Sequence, residues 1–325
     1  MRRMRFLAGL GAAALAVPLG AQTRTTTLDA VSLPQPIDTV TQAQDVRFKD
    51  DGHDRMTVAV RLSGSGPYRF LVDTGADRTA VSSELAKRLG LTAGPNALLH
   101  SVTGVSTVAT AQLPRLQLSH AEMKIADAPL LSDLNIGADG ILGVDSLRAQ
   151  RVLFNFKART MTIVPAAHKV IPHEEGTIVV RAREKNGRLV LTSANADGAR
   201  LSVVLDTGSE VSIGNSALRR RLMAGNVLQR SGKVSLQSVT GEQLTGEYMV
   251  LEKLEIGGVL LENLAIVFAD AHTFKKLGLD KRPALLLGMN AMRAFDKVTI
   301  DFANKKLRVT LPEHGSLEQA QFAQR

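Results

Sequence analysis

The chain carries one tripeptide twice, Asp73-Thr74-Gly75 and Asp206-Thr207-Gly208, and each copy ends an apolar run. The runs are Tyr68-Arg69-Phe70-Leu71-Val72 and Leu201-Ser202-Val203-Val204-Leu205. Each reads as a β-strand that delivers a carboxylate to a turn. At ordinary residue frequencies a chance Asp-Thr-Gly is expected on the order of 0.1 times in a chain this long. Two copies in matched settings point to a duplicated architecture.

The flanking sequence repeats as well. About thirty residues after each motif stand Ser101-Val102-Thr103-Gly104 and Ser238-Val239-Thr240-Gly241. An apolar-apolar-Gly element follows in each half, Ile141-Leu142-Gly143 and Leu286-Leu287-Gly288. Each half then closes on a pair of β runs. The first pair is Val152-Leu153-Phe154-Asn155-Phe156 with Met161-Thr162-Ile163-Val164, the second Val298-Thr299-Ile300-Asp301-Phe302 with Leu307-Arg308-Val309-Thr310. The offset is 133 residues at Asp-Thr-Gly and 145 at the apolar-Gly, so the second half carries about a dozen extra residues between them.

Within each half the pattern is short alternating β runs, such as Met56-Thr57-Val58-Ala59-Val60-Arg61-Leu62. Helical periodicity is brief, over Ser83 to Leu89 and Ser216 to Met223. The expected fold is all-β: two β-barrel lobes related by pseudo-two-fold symmetry, with a cleft between them. The expected divisions are a signal peptide over 1–21, an extended Thr/Gln/Pro-rich leader over 22–45 and a first lobe over 46–165. A linker over 166–176, a second lobe over 177–312 and a polar tail over 313–325 complete the chain.

Residues 1–21 combine Arg2, Arg3 and Arg5 with an apolar stretch from Phe6 to Leu19 and a small residue, Ala21, at a plausible cleavage edge. That reads as an export signal and a periplasmic destination, with no stable membrane insertion once the signal is cleaved. An uncleaved membrane anchor is the alternative, although the apolar stretch is short for a spanning helix.

Composition removes other chemistries. The absence of Cys excludes disulfides, thiol nucleophiles and Cys zinc sites. The seven His show no His-Glu-x-x-His spacing, and no Gly-x-Ser-x-Gly elbow or phosphate-binding loop is present. Neither a metal nor a cofactor is expected. The net charge of +9 favours acidic partners, but aromatics are 4% and Trp is absent, so no stacking platform for nucleic acid is visible. Arg219-Arg220-Arg221 reads as the solvated face of a helix.

Two carboxylates held face to face can share one proton, so that one acts as base and the other as acid. That is the chemistry of water-mediated amide hydrolysis. On these residues the chain resembles aspartic proteases. Phe70-Leu71-Val72-Asp73-Thr74-Gly75-Ala76-Asp77-Arg78-Thr79 is similar to the active-site segment of retroviral-type proteases, the retropepsins, and Ile141-Leu142-Gly143 to the segment that buttresses it. The likeness covers most of residues 46–312 in two copies and fits bacterial retropepsin-like proteins with tandem domains.

The resemblance implies an aspartic endopeptidase acting on extended polypeptide, with Asp73 and Asp206 holding the attacking water. Thr74 and Thr207 would lock the two loops across the lobes. Gly75 and Gly208 would permit the tight turn and offer N–H groups to the carboxylates. Gly143 and Gly288 would buttress the loops. Asp77 and Glu210 would bind substrate backbone, and Thr103-Gly104 and Thr240-Gly241 would tip two flaps that close over the peptide.

The halves differ where Ala76 stands opposite Ser209, whose hydroxyl would donate to Asp206. Such a donor favours the ionised form, so Asp206 is expected to carry the charge and Asp73 the proton. The chain also departs from the retroviral pattern. An Arg that follows the apolar-Gly there, and pairs with the carboxylate at position 77, is replaced here by Val144 and Met289. Asp145 and Asn290, one residue on, are polar and suited to supporting the adjoining loop. With both aspartates on one chain, a monomer built as an intramolecular pseudo-dimer is expected. Pairing of each lobe with its counterpart in another chain, and a non-catalytic peptide-binding protein on the same fold, are the alternatives.

Overall fold

The structure is a computed structural model that describes residues 44–47, 56–118, 121–167, 176–224 and 229–312. The signal segment, residues 22–43 of the expected leader, residues 168–175 of the linker and the tail from 313 lie outside the described residues.

Each Asp-Thr-Gly strand begins at a two-residue hairpin. Ser63 (φ 49°) and Gly64 (φ 83°) join Thr57–Leu62 to Ser65–Val72, and Asp197 (φ 45°) and Gly198 (φ 85°) join Arg188–Ala196 to Ala199–Leu205. Two successive positive φ angles match the twist of antiparallel strands, and the Gly takes the second at little cost. From there the motif strand runs parallel to the apolar-Gly strand, Val72 beside Leu142 and Leu205 beside Leu287. This pairing brings the Asp of one segment to the Gly of the other.

The two lobes repeat one topology. In the first, Thr57–Leu62, Ser65–Val72, Gly140–Leu142, Ala80–Ser82, Ala121–Leu131 and Val105–Leu118 follow in sheet order, and the last returns to the first through Arg61–Gln117 and Leu62–Leu116. The second runs Arg188–Ala196, Ala199–Leu205, Ala284–Leu287, Ser212–Gly214, Val259–Phe268 and Gln243–Ile256, closed by Ala194–Ile256 and its neighbours. Closure removes sheet edges and encloses an apolar interior. Ala93–His100 in one lobe and Gln229–Gln237 in the other lie outside the rings, each hairpinned to the long strand beside it.

Short helices follow each motif, Ser83–Arg88 and Ser216–Ala224. Ser82 caps the first by accepting from Leu85 N at 3.0 Å. In the second, Arg219 is half-buried and pairs with Glu247, while Arg220 and Arg221 are exposed.

The lobes are joined by a six-stranded sheet to which each contributes three strands. Its order is Gln44–Arg47, Thr160–Pro165, Gln150–Asn155, Lys297–Asp301, Lys306–Thr310, Thr177–Arg181. The central seam pairs Phe154 with Val298 and Val152 with Ile300. Those four side chains, with Met161 and Leu307, are buried and belong to one apolar cluster that runs through both lobes. Each contributes roughly 1.5–3 kcal/mol. The outermost strands mirror each other, one leading into each lobe. Gln44–Arg47 straddles the point where the leader was expected to end.

Candidate active site

Each aspartate is fixed first by its backbone. Asp73 N donates to Leu142 O at 3.0 Å and Asp206 N to Leu287 O at 3.1 Å, so the apolar-Gly strands hold both motif ends. The carboxylates then fold back onto their own turns. Asp73 Oδ1 accepts from Gly75 N (2.7 Å) and Ala76 N (3.1 Å). Asp206 Oδ1 accepts from Gly208 N, and its Oδ2 from Ser209 Oγ, both at 3.1 Å.

The two turns are interlocked. Thr74 Oγ1 accepts from Thr207 N (3.1 Å) and donates to Leu205 O (2.8 Å). Reciprocally, Thr207 Oγ1 accepts from Thr74 N (3.0 Å) and donates to Val72 O (2.6 Å). Both threonines are buried, so these four bonds form in a low-dielectric setting where a lost partner is costly.

The glycines face across the same axis. A Cβ on Gly75 would lie 2.5 Å from Asp206 Oδ1, and one on Gly208 would lie 2.4 Å from Asp73 Cγ. Each carboxylate therefore rests against the other lobe's turn, and both occupy one cradle.

Their surroundings differ. Asp73 is half-buried, whereas Asp206 is 6% exposed. Burial pushes the Asp206 carboxyl above the ordinary carboxylate range, opposed by the positive charge of Arg188 and the hydrogen bond from Ser209. The Ser209 donor anticipated from the sequence is present, but burial outweighs it.

Gly143 and Gly288 stand directly beneath the loops. A Cβ there would come within 2.4 Å of Arg78 C and 2.7 Å of Val211 C. Val144 N donates to Ala76 O and Met289 N to Ser209 O, both at 2.9 Å. Asp145 Oδ1 accepts from Thr79 N (2.8 Å) and Oγ1 (2.7 Å), and Asn290 Oδ1 from Ser212 N (2.9 Å) and Oγ (2.8 Å). The two polar residues after the apolar-Gly thus hold equivalent points of the two loops.

Asp77 is oriented from the other lobe. Its Oδ1 lies 3.1 Å from Arg188 Nε and its Oδ2 contacts Lys276 Nζ. Arg188 is 3% exposed and pairs with Asp77 through charge, while its Nε and Nη1 have no hydrogen-bond acceptor among the described residues. In the matching place Glu210 is exposed, and its backbone carbonyl accepts from Asn290 N at 3.0 Å. Neither Arg188 nor Lys276 was expected at the site.

Thr103-Gly104 and Thr240-Gly241 do lie at hairpin tips. Ser101 N bonds Gly104 O (2.9 Å), and Gly241 N bonds Ser238 O (3.0 Å). Each tip reaches across to the opposite lobe. Val102 packs on a second-lobe cluster containing Ile213, Phe274 and Leu286, and Val239 packs on a first-lobe cluster containing Leu71, Ile136 and Ile141. The tips also meet each other, since Thr103 Oγ1 donates to Glu242 Oε2 at 2.5 Å.

No group of three or more His, Asp or Glu among the described residues is arranged to hold a metal ion. No helix among them is long and apolar enough to cross a membrane, and the segment expected as signal or anchor lies outside them.

A family sequence profile described as aspartyl protease matches residues 58–146 and 192–291. Each stretch contains one Asp-Thr-Gly and one apolar-Gly element. No curated protein matches the chain with significance. With more than half of its length matched in two copies, the chain belongs to the aspartyl protease family.

Proposed function

We propose that the protein is an aspartic endopeptidase whose Asp73/Asp206 pair activates a water for attack on a peptide bond. The observation that carries this reading is the reciprocal packing of each motif glycine against the opposite carboxylate, which leaves both acids in one cradle. One carboxylate takes a proton from the water while the other donates to the scissile carbonyl oxygen. The more deeply buried Asp206 is the natural holder of the proton, leaving Asp73 as the base. The pair titrates jointly, so kinetics report its macroscopic values.

The substrate is an extended polypeptide laid beneath the two hairpins, which close over it as flaps. Both acids come from one chain, so the monomer is the working unit. The sequence of residues 1–21 supports export and action in the periplasm.

The test is cleavage of unfolded casein by purified protein, with products read by mass spectrometry. Asp73→Asn and Asp206→Asn should each lower kcat/KM by about 10³ or more, and a pepstatin-type inhibitor should block the wild type. Peptide binding without turnover in the wild type would replace the peptidase reading with that of a binding protein.

A further inference from the structure

The first flap is tied to the second lobe by a pair of histidines. His100, the last residue of the strand Ala93–His100, places Nδ1 2.9 Å from Nε2 of His272, the first residue of the helix His272–Lys276. The rings are inclined by only 13° and their centroids are 5.1 Å apart. That separation is the N···N distance plus the radius of each ring. The imidazoles therefore lie end to end in a shared plane, joined by an in-plane N–H···N hydrogen bond. Two positions further on, Val102 O accepts from His272 N at 2.8 Å, so ring and backbone bonds together bind the flap.

An N–H···N bond between imidazoles needs one nitrogen with a proton and one with a free lone pair. The pair keeps it when both rings are neutral or when one is charged. When both are protonated, two N–H groups and two positive charges face each other.

The surroundings are cationic. Lys276 lies one turn along the same helix, and Arg188 comes from the strand Arg188–Ala196. Asp77, from the first active-site loop, is the acid that pairs with both. The second flap brings Glu242, which is engaged with Thr103 Oγ1 and Ser106 Oγ. Desolvation, Lys276 and His272 lower the pKa of His100, with Asp77 opposing.

The pseudo-two-fold axis supplies an internal control. Gln237 precedes Ser238 as His100 precedes Ser101, and its Nε2 donates to Asn135 Oδ1 of the first lobe at 3.2 Å. The second flap is thus tied by two amides that do not titrate.

We propose that His100 and His272 form an acid-released latch that holds the first flap on the second lobe, whereas the Gln237–Asn135 tie of the second flap is indifferent to pH. The proposal concerns regulation of the cleft and rests on reading the hairpins as flaps over an active site. A latch that survives the first proton and fails at the second holds near pH 7.5 and is released as pH falls below the ordinary histidine value of about 6.5 and the second ring takes up its charge. Acid then frees one side of the cleft only.

Hydrogen exchange of the full chain without substrate, corrected for intrinsic rates, tests this at pH 7.5 and 5.5. Peptides spanning 100–106 and the His272 amide should lose about fivefold more protection in acid than peptides spanning 237–242, the size expected from one lost hydrogen bond. In the double variant His100→Gln with His272→Asn, which copies the amide tie, the two flaps should respond alike. Equal loss at both wild-type flaps, or an acid response retained in the double variant, overturns the latch. Should that variant not fold, ring titration by NMR in the wild type decides: coupled titration with one ring below the ordinary value supports the latch, and two independent ordinary titrations overturn it. Turnover is not read in either experiment, so a failed latch and a failed peptidase assay are separate results.

Discussion

Gly75 leaves no room for a side chain because Oδ1 of Asp206 occupies the space, 2.5 Å from where a Cβ would stand. The carboxylate lies on a rigid turn tied through Thr74 and Thr207, so it cannot swing aside without breaking buried hydrogen bonds. Gly75→Ala should therefore push the two acids apart. We expect kcat/KM on an unfolded protein substrate to fall by at least about 10²-fold, most of it in kcat, since misplacement of reacting groups by an ångström costs that much. Overpacking should cost about 1–3 kcal/mol of stability. Kinetics alongside urea unfolding check both; an alanine variant with wild-type kcat would mean that the acids do not work as a pair.

The burial of Asp206 makes a prediction about stability rather than rate. Its carboxyl is raised above its unfolded value, chiefly by burial. Such a group contributes its stability below the unfolded carboxylate value of about 3.9 and loses it as pH rises through the folded value. Asp206→Asn removes the ionisation. The variant should match the wild type near pH 3.5 and gain progressively in melting temperature as pH rises, levelling off once the wild-type carboxyl is ionised. Thermal scans of both proteins over pH 3.5–8 measure this. A melting difference that does not change with pH would show that burial imposes no electrostatic cost there.

The contrast between Asp206 and Ser209 illustrates what was legible in the sequence. Contacts within one loop could be read from it: the Ser209 donor, the polar support from Asp145 and Asn290, and the tips at Gly104 and Gly241 all involve neighbours or repeated motifs. Burial could not be read, because Asp206 is enclosed by lobes that meet only in the folded chain. The inter-lobe sheet was hidden for the same reason, since the pairing of Phe154 with Val298 joins two strands that each read as half of a local hairpin. The partners of Asp77 were missed by looking for the arginine after the apolar-Gly. One signal did exist: Arg188 stands 18 residues before Asp206, and Arg55 stands 18 before Asp73. The same residue type at the same offset in both halves singles out Arg188 within the repeat. The His100–His272 contact had no such echo in residue type, because the matching tie of the second flap is made by Gln237 and Asn135.

The seam between the lobes offers the last test, through Arg151 and Asp301. These residues are opposite each other where the central strands of the joining sheet meet, and Arg151 Nε donates to Asp301 Oδ2 at 3.0 Å. Both are buried. Burial alone would raise the Asp301 carboxyl, but hydrogen bonds from Asn304 and Arg151 together hold it below the ordinary range. A depressed carboxylate contributes stability above its unfolded value and loses it as pH falls through the folded value. Removing one member takes an opposite charge away from a group that stays charged and buried. Asp301→Ala should therefore cost about 3–5 kcal/mol at pH 7. Replacing both, Arg151→Met with Asp301→Leu, removes the charges together and should cost far less, since well-packed apolar pairs often match a buried ion pair. The deficit of Asp301→Ala should shrink as pH falls below about 3.9, where the unfolded carboxylate takes up protons ahead of the folded one. Urea midpoints at pH 7 and pH 3.5 for the three proteins separate the charge from the packing. If the double replacement destabilises as much as Asp301→Ala, the seam depends on the ion pair itself, and the apolar pairing of Phe154 with Val298 and Val152 with Ile300 is not sufficient to keep the lobes, and with them the two aspartates, in register.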